Sequence, residues 1–343
     1  MWYNILKDIH AACAATAEDE QPAFFWGPAA ESEIALPALA MTVKSMSEEK
    51  NPELFQDRLT KYGNLPGGPK LSKRNYKLLA VDLDDTMLNS QLLVPEQSRQ
   101  AVVRAREAGV RVTLATGRMF RSALPFAQEL GVAEYLMTYQ GALVKHPVTG
   151  DVLFHRPVPL DSALEVLELV NRYGYHINVY VDDTPYIARQ TKESELYTAI
   201  SRIPMTEVGN LAAFLRERGQ DPTKIVVVAR EELIDSLLTE VRPRLGNKLH
   251  ITKSKPNFLE FSHPLGNKGD ALAAIAAHYG VAQGEVIAVG DGYNDLEMID
   301  FAGLGVVVGN ARPEIKEHAD YVCRTNDECG VAEVVEKFIL TAL

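Results

Sequence analysis

A chain of 343 residues with 46% hydrophobic and 24% charged residues has the balance of an ordinary globular protein and the length of about two domains. Its net charge of −11, with no Lys- or Arg-rich stripe, speaks against a nucleic-acid groove. No run approaches the ~18 apolar residues of a membrane span, and the opening MWYNILKDIH lacks the apolar stretch of a signal peptide, so a cytoplasmic protein with no membrane partner is expected.

Cys13, Cys323 and Cys329 are odd in number and spaced for neither a zinc site nor a disulfide framework, so free thiols are expected. Residues 1–74 form an extension of alanine-rich and acidic stretches ending in NLPGGPKLSKRN, a linker by composition. Short helices are expected near 2–15 and 51–62. GGPKLSK lacks the GxxxxGK[ST] spacing of a phosphate-binding loop and has no buried strand before it. Residues 1–74 supply no recognisable ligand for a metal or a phosphate.

From Tyr76 the pattern changes. KLLAVDLDD is a continuous apolar run ending in carboxylates, as in a parallel strand buried on both faces. Pro95 opens a helix with Ala101, Val102, Ala105 and Ala108 on its inner stripe, and Gly109 stops it. A strand is expected over 110–114, a helix over 119–130 and a strand over 135–138. The alternation resumes with a helix at 269–278, strands at 286–289 and 304–308, a helix at 294–302 between them, and a closing helix at 331–343. Alternation of this kind predicts an α/β fold with a doubly wound parallel sheet. Between the halves lies an insert at 155–255 with helices at 160–173 and 232–241 and strands at 176–181 and 224–228. The expected architecture is a discontinuous core, 75–154 with 256–343, around an inserted α/β cap domain. A ligand would sit at the carboxyl ends of the core strands.

Polar residues gather at those ends. Asp82, Asp84 and Asp85 end the first strand, Thr116, Gly117 and Arg118 the second, and Gly290 to Asp295 follow the strand at 286–289. Lys268 begins a helix. In a strand, residues i and i+2 share a face, so Asp82 and Asp84 are expected to point together. Taken singly, DxD reads as readily as a solvated strand end, and TGR as an ordinary turn. GDGYND lacks the twelve-residue spacing of an EF-hand.

In this order and placement, DLDDTML (82–88), ATGR (115–118), NKGDAL (267–272) and GDGYND (290–295) resemble the haloacid dehalogenase superfamily, and within it the Cof-type, sugar-phosphatase-like hydrolases with a large α/β cap. FLEF (258–261) and the tail segments GNARPEIKEHADYV and NDECGVAEVVEKF add support. The resemblance covers about 76–343 and implies a Rossmann-like core, Mg²⁺ as cofactor and a small phosphorylated metabolite as substrate. It also implies roles. Asp82 is the nucleophile that forms an aspartyl-phosphate. Asp84 is the general acid and base. Asp82, Asp291 and the backbone carbonyl of Asp84 hold the metal. Thr116, the N–H of Gly117, Lys268 and Asn294 receive the phosphoryl group. Asp295 supports the metal or Lys268 from behind.

Some positions depart from the family's commonest pattern. Asp85 stands where Gly is frequent and is expected to face outward. Gln140 stands where Asn is frequent before Gly-Ala, and its longer side chain is expected to alter contacts to the leaving group; Gln140 and, separately, Arg118 are candidates for the substrate cleft. Arg118 reads equally as a salt-bridged helix start, and Asp182, Asp183 and Arg189 of the insert read as solvated. A phosphomutase of the same superfamily is the alternative function, and a non-catalytic phosphosugar sensor a weaker one. Asp84 and Asp291 argue against dehalogenation. The physiological ester and any oligomeric partner carry no sequence signature.

Overall fold

The computed structural model describes residues 75–341, so the helices expected within 1–74 lie outside the described residues. An eight-stranded sheet runs in the order β14 (Tyr321–Val322), β13 (Leu304–Val307), β12 (Val286–Gly290), β1 (Leu78–Asp82), β2 (Arg111–Ala115), β3 (Leu136–Thr138), β4 (Leu143–Lys145), β5 (Val152–His155). The strands from β14 to β3 are parallel, while β4 and β5 return antiparallel and close one edge. The parallel sheet is as expected. The β4–β5 hairpin is not, because its strands of three and four residues are too short to show a period.

Strand β1 is buried along its whole length because both of its faces are covered. Leu79 and Val81 pack with Ala101, Val102 and Ala105 of α1 (Glu96–Glu107) and with the C-terminal helix that begins at Gly330. Leu78 and Ala80 pack with Ala271, Leu272 and Ile275. Alternate side chains of one strand thus serve two helical layers, which is why its sequence shows no polar alternation. Helix α2 (Phe120–Glu129) follows β2.

The insert contributes a second sheet, ordered β10 (His250–Lys255), β11 (Phe258–Ser262), β9 (Lys224–Val228), β6 (His176–Val181), β7 (Thr184–Ile187), β8 (Thr206–Glu207). One face carries α3 (Leu160–Asn171), α5 (Leu211–Arg218) and α6 (Glu231–Leu245), packed on Ile177, Val179, Ile225, Val227, Leu259 and Phe261. From the opposite face Tyr180, Val226, Val228 and Phe258 join the cluster of Phe120, Tyr139 and Ala142, residues that follow β2 and β3 of the first sheet. A helix not anticipated, α4 (Lys192–Ser201), starts with a reciprocal cap between Thr191 and Ser194. The sheet also relocates a boundary. The expected division between 255 and 256 falls inside the β10–β11 hairpin, and the second sheet ends at Ser262, because FLEF pairs with β9.

Helix α7 (Lys268–His278) returns the chain to the first sheet, followed by α8 (Leu296–Phe301), α9 (Pro313–Lys316) and α10 (Gly330–Val335). The closing helix continues as a wider π-helical turn, Glu336–Leu340. Cys323 is buried and Cys329 half-buried, both as free thiols. Among the described residues no helix is long and apolar enough to cross a membrane.

Candidate active site

Strands β12, β1 and β2 lie side by side and parallel, so their carboxyl ends deliver Asp291, Asp82 and Thr116 to one edge of the sheet. Lys268, at the first position of α7, reaches that edge from the adjacent layer. Its Nζ lies 2.6 Å from Asp82 Oδ1 and 2.6 Å from Asp295 Oδ1, and the lysine is 0% exposed. An ammonium so deeply buried survives only with charged partners. The two carboxylates raise its pKa against the opposing effect of burial.

Asp295 has its other oxygen occupied by the N–H groups of Asp291 and Gly292, at 3.0 and 2.9 Å. It thereby fixes both the loop that presents Asp291 and the lysine that faces Asp82. Thr86 donates its hydroxyl to Asp291 Oδ1 at 3.1 Å, a contact across 205 residues of chain that no local sequence pattern signals.

Carboxylate oxygens of Asp82, Asp291 and Asp295 lie within 4.8 Å of one another. Burial, and then the neighbouring carboxylates, push the pKa of Asp82 well up despite the opposing pull of Lys268. Burial, Asp295 and Asp85 bring that of Asp291 up to about 7. Fully ionised, the three carboxylates would exceed the one ammonium by two negative charges, in a set of hard oxygen donors. That donor chemistry fits a small divalent cation such as Mg²⁺.

Asp84 departs from expectation. The strand ends at Asp82 and the chain turns through Leu83–Met87, so the i, i+2 rule no longer applies. The two side chains part: Asp82 turns to Lys268, and Asp84 is forked by Arg118, with Nε at 2.9 Å and Nη2 at 2.6 Å. Asp85 takes a left-handed conformation and faces outward, as expected.

Thr116 is buried, and its Oγ1 accepts the N–H of Arg118, which closes the turn around Gly117. Asn294, expected to reach the phosphoryl group or Lys268, donates to Gln140 Oε1 at 2.9 Å. The side chain of Gln140 lies against Gly117, so this cleft candidate touches two of the groups expected to receive phosphate.

Three residues of the insert approach this edge without having been singled out for it. Asp183, read as solvated, is 7% exposed, and its carboxylate accepts the N–H groups of Phe120 and Arg121 and the hydroxyl of Tyr139. It caps α2 from another part of the chain, a tertiary contact without a local sequence signal. Asp182 and Arg189 are exposed, as expected. Lys224 and Glu260 form a buried ion pair at 3.1 Å, and Lys224 also approaches the Gly117 carbonyl at 3.4 Å. Here a signal existed. A lysine and a glutamate stand inside otherwise apolar strands, in register with Val226 and Phe258 on the face that meets the core.

Residues 79–335 match the model of the haloacid dehalogenase-like hydrolase family. The 5-amino-6-(5-phospho-D-ribitylamino)uracil phosphatase YitU of Bacillus subtilis is 30% identical over 267 residues, spanning 76% of this chain and 97% of that protein. The pyridoxal phosphate phosphatase YbhA of Escherichia coli is 26% identical over 275 residues, spanning 77% of this chain and 99% of that protein. A solved haloacid dehalogenase-like hydrolase from Bacteroides thetaiotaomicron superposes with a TM-score of 0.71 at 30% identity, over 76% of this chain and 99% of that one. With the carboxylates, the buried lysine and the inserted second sheet all lying within or beside the matched span, the chain belongs to the haloacid dehalogenase superfamily, among its Cof-type phosphatases.

Proposed function

We propose that the chain hydrolyses phosphomonoesters of small metabolites, sugar phosphates or similar compounds, through an aspartyl-phosphate on Asp82. The observation that carries this reading is the buried chain Asp82–Lys268–Asp295 with Asp291 beside it, all at the end of the central strands. Asp82 and Asp291 would hold Mg²⁺, with the Asp84 carbonyl as a further ligand. When bound, the ion offsets the repulsion between a phosphate dianion and the attacking carboxylate.

In the first step, a carboxylate oxygen of Asp82 bonds to phosphorus while the bond from phosphorus to the ester oxygen breaks. Asp84 gives its proton to that departing oxygen, so an alcohol leaves. In the second step, Asp84 takes a proton from water, the water oxygen bonds to phosphorus, and the acyl phosphate opens to inorganic phosphate and free Asp82. Lys268 balances negative charge throughout. Thr116, the N–H of Gly117 and Asn294 would receive phosphoryl oxygens. The substrates named for the two relatives, a ribitylaminouracil phosphate and pyridoxal phosphate, support small phosphometabolites as the class.

A panel of phosphomonoesters, scored by inorganic phosphate released with and without Mg²⁺, tests this proposal. Turnover should require the metal, and Asp82→Asn should abolish it because an amide cannot form the acyl phosphate. Turnover in that variant, once deamidation is excluded, would remove the covalent route. Isomer formation in place of phosphate release would point to a mutase.

A further inference from the structure

We propose that Gln140 is a positioning residue for phosphate recognition, its carboxamide tying Asn294 to the Thr116–Arg118 turn so that the two act as one grip. This inference rests on the phosphatase reading above. Tyr139 and Gln140 are consecutive residues in the left-handed region, at φ 52° and 60°. That conformation is costly for side chains other than those of Asn, Asp and Gly. The next residue, Gly141, has φ 87°, and a Cβ there would stand 2.2 Å from the carbonyl oxygen of Asn267, the residue before Lys268.

The surroundings hold this strained turn in place. Gln140 N donates to Thr116 O at 3.0 Å and Tyr139 N to Arg118 O at 2.9 Å, so the backbone brackets both ends of the proposed phosphate turn. The Tyr139 hydroxyl is held by Asp183 at 2.7 Å. From this fixed base the Gln140 side chain spans two loops. A Cβ on Gly117 would lie 2.4 Å from Gln140 Nε2, and Gln140 Oε1 accepts from Asn294 Nδ2 at 2.9 Å.

Asn would suit a φ of 60° better than Gln. It is one methylene shorter, however, and could not cover Gly117 and reach Asn294 together. Reach and backbone ease therefore oppose each other at this position, and a single substitution separates them.

The test uses the full chain and inorganic phosphate in the presence of magnesium chloride, with binding read by calorimetry. Gln140→Asn should leave the melting temperature unchanged or raised, yet weaken phosphate binding about three- to tenfold, the scale of one hydrogen bond. Gln140→Ala and Asn294→Ala should each weaken it similarly, and the double variant should be no worse than the weaker single one. KM for the best phosphomonoester should rise by more than kcat falls. Wild-type phosphate affinity in Gln140→Asn, or additive losses in the double variant, would overturn the proposal, as would failure of the wild type to bind phosphate. A wild type that binds phosphate but cleaves no ester would sink the hydrolytic reading instead, and the same isotherms would still decide the role of Gln140.

Discussion

Arg118 clasps Asp84 through two nitrogens, at 2.9 and 2.6 Å, while Asp82 two residues earlier engages Lys268. The two aspartates of one DxD segment thus have separate cationic partners. The partner of Asp82 is buried, whereas the Arg118–Asp84 pair is partly open to solvent. An ion pair in contact with water contributes little to folding, within ~1 kcal/mol. Its consequence lies in orientation, because a fork fixes the plane of a carboxylate and a point charge does not.

Arg118→Lys should therefore barely change the melting temperature while lowering kcat about ten- to a hundredfold, on the scale of a misplaced general acid. Steady-state kinetics beside a thermal melt will read both. An unchanged kcat would mean that the fork does not prepare Asp84 for its task.

Lys268→Met tests the charge balance at the strand ends. Removing one partner from a buried ionic cluster costs about 3–5 kcal/mol, since the remaining charges lose their compensation. The cost should be larger at pH 8 than at pH 5.5, because at the lower pH Asp291, with its pKa near 7, is already neutral. Urea unfolding at the two pH values measures this. Equal losses at both would refute repulsion among Asp82, Asp291 and Asp295 as the cause.

The strand-end motifs were legible because each follows an uninterrupted apolar run such as LLAVD or VIAVG, which marks a buried parallel strand and the polar residues that end it. Asp82, Asp291, Asp295 and Lys268 are gathered as their order in the chain suggested. The direction of Asp84 was not legible, because the periodicity of a strand says nothing about where the strand stops. Asp183 looked like half of an exposed Asp-Asp turn, and its burial depends on α2 meeting it from more than sixty residues away. The extra strands of the second sheet were hidden for a related reason. TPYI and FLEFS are short, and their pairing with β6 and β9 is fixed by tertiary contact rather than by a period of their own.

Asp183→Ala should loosen the seat of the second sheet on the core. The substitution leaves the N–H groups of Phe120 and Arg121 and the Tyr139 hydroxyl without their acceptor, at a cost of about 1–3 kcal/mol. Asp183→Asn keeps one acceptor oxygen and should lose roughly half as much. Hydrogen exchange should quicken at the first turn of α2 before the rest of the core responds. Uniform acceleration across the core would show that the carboxylate contributes only to global stability.

The final prediction concerns pH and metal together. Asp291 has a pKa raised from 3.8 to about 7, and Asp82 is raised in the same direction. Between these values and the ordinary carboxylate range, the folded state binds more protons than the unfolded one. Without metal, this cluster therefore lowers stability as pH rises from about 4 through 7, the reverse of a salt-bridged carboxylate with a depressed pKa. A divalent cation competes with those protons, so its affinity should rise with pH through about 7 and level off above, with protons released on binding. The increase in melting temperature caused by Mg²⁺ should accordingly be small at pH 5.5 and large at pH 8. In Asp291→Asn the pH dependence should flatten, because the group that titrates near 7 is gone. Thermal melts across that range, with and without Mg²⁺, read both effects. A stabilisation by Mg²⁺ that is independent of pH in the wild type would show that the ion does not bind at these carboxylates.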